Sequence, residues 1–224
     1  MHQSVRNRLS SFLKDYEGKV GYMYLDVKGL VTVGVGHLID PVNRATSLKF
    51  GYKGSPGSSA SAGEVAAEWQ LVKSRKDLAP QGSAAFAPIT KLELSDAGIE
   101  QMVLQAAGAI EDYIKSNASA RAYYADWDRW PADAQLGFLG VAWGGIPLPQ
   151  FGWHRFPEAC KAQDWASAAK ECRISSPIAA GRNEAHKRMF ENAAQAKANG
   201  DDVSILNWPA ILIARVDIVG ERGA

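Results

Sequence analysis

The chain has 224 residues, 46% hydrophobic and 22% charged, which allows one large domain or two small lobes at about 100 to 200 residues per domain and excludes wholesale disorder. A formal net charge of +1, with no run of about four to eight Lys and Arg, excludes binding through phosphate neutralisation, so no nucleic-acid partner is expected. The two cysteines, Cys160 and Cys172, cannot build a disulfide framework and lie in no zinc-type spacing, so they read as small apolar residues and no metal is expected.

The N-terminal stretch begins basic but returns to charge at Lys14 and Asp15, so it does not read as a secretory signal. Ser4 is the expected N-cap of a helix whose apolar stripe runs through Val5, Leu9, Phe12, Leu13 and Tyr16 and which stops at Glu17 and Gly18. The period then changes. Tyr22, Tyr24 and Asp26 fall on one side of a strand, Leu30, Thr32 and Gly34 on one side of a second, and Val27-Lys28-Gly29 lies between them, which predicts a β-hairpin.

Between Thr46 and Pro88 periodicity fades into Gly, Ser and Pro, apart from a candidate helix over 63–77 around Val65, Trp69 and Val72. The segment reads as an insertion of unassigned role. Beyond it the text is helical. Ser95 is expected to cap a helix carrying Ile99, Met102, Val103, Ala106, Ile110 and Ile114, and Pro131 fits the first turn of a helix running to Trp143. Further helices are expected over 153–162, 165–172 and 183–197. The charge-free stretch 134–153 has about the length of a membrane span, but glycines and prolines interrupt it, so a buried core helix followed by a loop is expected, without stable membrane insertion. In the tail, Ile211, Leu212, Ile213, Val216 and Ile218 fit either a strand or a short helix. The expected layout is an N-terminal helix and hairpin over 1–45, an insertion over 46–90, a helical lobe over 91–198 and a tail over 199–224, together one α+β domain, mostly α.

Glu17, Asp26 and Thr32 are the residues that carry chemistry. Alternation about a turn centred near Gly29 predicts Asp26 and Thr32 on one face, across from each other, with room for a water between them. Glu17 ends a helix, where the negative end of the dipole disfavours its charge, and the nearby tyrosines would desolvate it, so a raised pKa is expected. An acid to protonate a leaving oxygen and a carboxylate to activate water are the parts that glycoside hydrolysis requires. Taken as residue types alone, the same three positions also fit a solvated helix end, a turn former and an ordinary strand residue.

The string Glu17-Gly18, Tyr24, Asp26, Gly29, Thr32, Gly34, Gly36, His37, Leu38 resembles the signature of the phage-type lysozymes, the glycoside hydrolase family 24 that includes the T-even phage lysozyme. The resemblance continues more weakly through 92–114, 131–145, 165–169 and 181–190. It implies a lysozyme-like fold of two lobes with a cleft between them, bridged by the helix near 95–116. It implies a muramidase, working without cofactor, that cleaves the β-1,4 bond between N-acetylmuramic acid and N-acetylglucosamine in peptidoglycan. Glu17 matches the general acid, Asp26 the second carboxylate and Thr32 the hydroxyl that holds the attacking water. Substrate-binding roles are expected for Leu38, beside the glycines that let backbone approach a sugar, for Trp143 as an apolar face for a saccharide ring, and for Arg182, which the resemblance places near the acid. The long insertion, Asn183 and His186 depart from the family's pattern.

Such an enzyme is expected to act as a monomer in the periplasm or cell wall, delivered by a holin, a phage tail or a secretion apparatus, with an immunity protein as partner if it is an antibacterial effector and not an endolysin. The rival of another class is a peptidoglycan-binding module of the same fold without catalysis. His37, His154 and His186 lack the i, i+4 spacing of a helical zinc motif, and Cys160 has no context that would activate a thiol.

Overall fold

The computed structural model describes residues 1–175 and 181–212. The chain divides into two compact units, Ser10–Ala106 and Met1–Leu9 with Ala107–Ala224. The boundaries fall inside two helices, α1 (Gln3–Glu17) and α4 (Asp96–Ser116). The architecture is mostly helical with two small antiparallel sheets, an α+β fold.

In α1, Val5, Leu9, Phe12 and Leu13 are fully buried, the stripe that helical spacing demands. The helix starts one residue before Ser4, so Ser4 is not the N-cap; its hydroxyl donates to the Ser204 carbonyl at 2.6 Å instead.

In the unit Ser10–Ala106, β1 (Val20–Leu25), β2 (Val31–Gly34) and β3 (His37–Leu38) form the first sheet in that order. Alternation sends Met23, Leu25, Val31 and Val33 into the core. The segment 46–90 folds onto this hairpin as part of the same unit. Following α2 (Val42–Thr46) and β4 (Gly51–Tyr52), α3 (Ala62–Ser74) opens on a capping box, with Ser61 and Glu64 bonding each other's backbone amides. It ends before residue 77, where Arg75 pairs with Asp77 at 2.7 Å. Its buried face is Val65, Trp69 and Val72, as the period predicts. Trp69 Nε1 donates to the Ile39 carbonyl at 2.9 Å, and the Glu68 carboxylate accepts from Lys91 N at 2.6 Å and Leu92 N at 3.1 Å, holding β5 (Leu92–Glu93) beside β4. Ser95 caps α4, accepting from Gly98 N at 3.0 Å.

The other unit is helical. Its centre is α6 (Ala132–Ala142), every residue of which is buried; Pro131 stands at the N-cap and not in the first turn. A helix buried on every side belongs in a core, and α6 packs against α9 (Arg182–Asn199), which also carries α8 (Trp165–Glu171). On α8 rests α7 (Arg155–Ala162), and on α7 rests α5 (Ala118–Tyr124), a helix capped by Asn117 that the periodicity did not announce. Edge-to-face contacts join Tyr124, Trp130, Phe138 and Trp165. The charge-free stretch is therefore a core helix and loop, and among the described residues no helix is long and apolar enough to cross a membrane.

The first part of the tail is strapped to this unit by Asp133, fully buried at the start of α6. Its carboxylate accepts from Asn207 N at 2.9 Å, Trp208 N at 2.9 Å and Asn192 Nδ2 at 3.2 Å. Ile211 and Leu212 lie in neither helix nor strand, because Leu212 N donates to the Asn192 side chain at 2.9 Å and not to a ladder. Ile213, Val216 and Ile218 lie outside the described residues.

Candidate active site

The hairpin turn is built around Asp26. Its amide donates to the Leu30 carbonyl at 2.9 Å, its carbonyl accepts from Gly29 N at 2.9 Å, and its Oδ1 accepts from Lys28 N at 2.8 Å and Leu30 N at 2.9 Å. Gly29 has φ 71, the left-handed conformation with which a three-residue hairpin loop closes. Asp26 is thus a turn former, but with one oxygen. Among the described residues no hydrogen bond reaches Oδ2, which keeps a lone pair for other chemistry.

Register corrects one expectation. Tyr24 pairs with Thr32 and Leu25 with Val31, so Asp26 stands opposite Leu30 and not opposite Thr32. The loop is Val27-Lys28-Gly29, and its centre is Lys28. Asp26 and Thr32 still share a face, as diagonal neighbours, which stand about 7 to 8 Å apart with their Cβ atoms somewhat closer. A single water making two hydrogen bonds of about 2.8 Å fits between side chains at that separation.

Thr32 sits at the middle of a row that crosses the sheet, with Tyr24 on one flank and Leu38 on the other. It is 4% exposed, and its Oγ1 donates to the Leu30 carbonyl at 3.1 Å. With its proton directed there, the oxygen remains an acceptor for a water proton. Leu38 is half-buried beside it.

The charges of both acids reach Tyr24. Its phenol is pushed up to about 12, first by burial and then by the negative charges of Asp26 and Glu17. Both carboxylates therefore act on one hydroxyl within a single unit. Glu17 is the last residue of α1, half-buried, one residue beyond Tyr16, whose ring packs tilted against Phe12 with centroids 5.1 Å apart. Tyr24 itself was legible only as a member of the string; its place opposite Thr32 follows from register.

Trp143 and Arg182 belong to the other unit. Trp143 follows α6 and is half-buried. Arg182 opens α9, is 4% exposed, and donates from Nη2 to the Gly140 carbonyl at 2.8 Å. Its charge also reaches His186, whose pKa falls to about 3, through burial first and Arg182 second. Asn183 clamps the chain before α9, exchanging bonds with the backbone of Ile174 at 2.9 and 3.0 Å. Cys160 and Cys172 are free thiols, both buried, and burial raises both, Cys172 to about 12. Among the described residues no group of three or more His, Cys, Asp or Glu side chains is placed to hold a metal ion.

Compared with known protein families and with curated proteins, the chain matches no family model and no curated sequence.

Proposed function

We propose that the chain is a peptidoglycan hydrolase of lysozyme-like fold, a muramidase cleaving the β-1,4 bond between N-acetylmuramic acid and N-acetylglucosamine. The observations that support this reading best are the negative charges of Asp26 and Glu17, both felt at the Tyr24 phenol, and the Thr32 hydroxyl diagonal to Asp26 on the same face. The choice of peptidoglycan as substrate comes from the resemblance of the Glu17-to-Leu38 string.

In this mechanism Glu17 donates its proton to the leaving glycosidic oxygen as the bond to the anomeric carbon breaks. A water held between Asp26 Oδ2 and Thr32 Oγ1 gives a proton to Asp26 and attacks the opposite face of the sugar, which inverts the anomeric centre. Thr32 Oγ1 accepts a hydrogen bond from the other water hydrogen, which stays on the new anomeric hydroxyl, and so orients the attacking lone pair. Leu38 continues the row along which a sugar lies. The substrate places the site of action in the periplasm or cell wall.

The experiment is the digestion of purified peptidoglycan by the full chain and by Glu17→Gln. The amide keeps the shape but has no acidic proton, so the rate should fall by about 10² to 10⁴-fold while the far-ultraviolet spectrum is unchanged. Retention of wall by an inactive wild-type chain would instead favour a binding module, and a native rate for Glu17→Gln would remove Glu17 from the mechanism.

A further inference from the structure

The turn that carries Asp26 is held from outside. Gly29 closes it, and the Gly29 carbonyl accepts from Lys73 Nζ at 2.9 Å. The same ammonium donates to Asp40 Oδ2 at 2.5 Å. Asp40 Oδ2 in turn accepts from Val31 N at 3.3 Å, on the residue before Thr32. One cation thus bridges the end of the Asp26 turn to a carboxylate anchored on β2. Burial opposes ionisation of Asp40, but the bonds from Lys73 and Val31 and the charges of Lys73 and Arg44 hold its carboxyl below the ordinary value.

Lys73 itself is mounted on a fixed support. It stands one turn after Trp69 in α3, with its ammonium 5.8 Å from the Trp69 ring, and Trp69 and Glu68 pin that helix to Ile39 and to Leu92 of β5 by buried bonds. The Lys73 and Asp40 side chains are only 30% and 16% exposed. A solvent-exposed ion pair contributes little to stability, but here the cation has two acceptors that hold the β2 side of one turn, the Gly29 carbonyl within it and the Asp40 carboxylate bonded to Val31 just after it. An ammonium, a compact donor of three bonds, fits that bridge, and a planar guanidinium does not replace it.

We propose that Lys73 is a positioning residue for the Asp26–Thr32 pair: by bridging the Gly29 carbonyl to the Asp40 carboxylate it fixes the turn and so the direction of the Asp26 carboxylate relative to Thr32 Oγ1. Its catalytic consequence rests on the muramidase reading; its hold on the turn does not. The segment 46–90 thereby has a role, since it delivers the brace.

The test uses the full chain as Lys73→Met, Lys73→Gln and Lys73→Cys, the last before and after alkylation with 2-bromoethylamine, which rebuilds a lysine-like ammonium through a thioether. Cys160 and Cys172, 1% and 2% exposed, are shielded from the reagent. Two readouts are taken: amide hydrogen exchange at Lys28 and Leu30, the two donors to Asp26 Oδ1, and kcat and KM on soluble peptidoglycan strands, with Glu17→Gln as the floor. Loss of the brace should speed exchange at both amides about tenfold and lower kcat about 10- to 100-fold, the effect of a misplacement near 1 Å, with KM within about twofold. Aminoethylation should restore most of both. Native exchange at the two amides in Lys73→Met and Lys73→Gln would overturn the proposal, as would a kcat loss that aminoethylation does not relieve. If the wild-type chain turns over no peptidoglycan, the muramidase reading fails alone, and exchange still decides whether Lys73 holds the turn.

Discussion

Acid should weaken the helical unit through one imidazole. His186 lies on α9 with no exposed surface, and burial, aided by the charge of Arg182, lowers its pKa to about 3. An unfolded chain binds that proton near pH 6.5, so between about 6.5 and 3 the unfolded state carries more protons than the folded one and stability falls as pH falls. The loss is about 1.4 kcal/mol per pH unit, hence about 2 kcal/mol between pH 6.5 and pH 5. For unfolding entropies of about 2.1 cal/mol/K per residue, this is about 4 °C of melting temperature if all residues unfold together, and about 8 °C if the helical unit melts alone. The assay is a circular-dichroism melt at pH 7.5 and pH 5.0 of the wild type and of His186→Leu, a neutral side chain of similar bulk. Carboxylates and the other histidines titrate in both proteins and cancel. The fall in melting temperature from pH 7.5 to 5.0 should be smaller in the variant by about 4 to 8 °C. Equal falls in the two proteins would refute the assignment of acid lability to His186.

Three further outcomes are expected. Gly34→Ala should destabilise by about 1 to 3 kcal/mol in urea unfolding, because Gly34 has φ 69 and an added Cβ would meet the Met102 methyl at 2.6 Å. Trp69→Phe should cost about 1 to 3 kcal/mol in the same measurement by leaving the Ile39 carbonyl without its buried donor. Proton NMR of product taken early in digestion should show the α-anomer, since a water held by Asp26 and Thr32 attacks the face opposite the leaving group; retention would exclude that role.

Long periodic elements were legible in the sequence because their stripes alone decide them. The Val5-to-Leu13 face of α1 and the Val65-Trp69-Val72 face of α3 are buried as spacing requires. Short elements were not: β3 has two residues and α5 seven, too few to display a period. The Asp26 turn was legible as a turn, while its register depended on whether the loop centred on Lys28 or Gly29, a shift that alternation cannot resolve. The 46–90 segment gave up its helix but not its docking, because Lys73 meets Gly29 and Asp40 only through tertiary packing and carries no local mark. Arg182 was expected beside the acid, and within its own unit its guanidinium bonds the Gly140 carbonyl.

Purified peptidoglycan digested with the wild-type chain, reduced with borohydride and analysed by mass spectrometry reports which sugar carries the new reducing end. Disaccharide-peptides ending in reduced N-acetylmuramic acid, absent from a parallel Glu17→Gln digest, are the predicted result. New ends on N-acetylglucosamine, release of peptides with intact glycan, or no soluble product at all would contradict it.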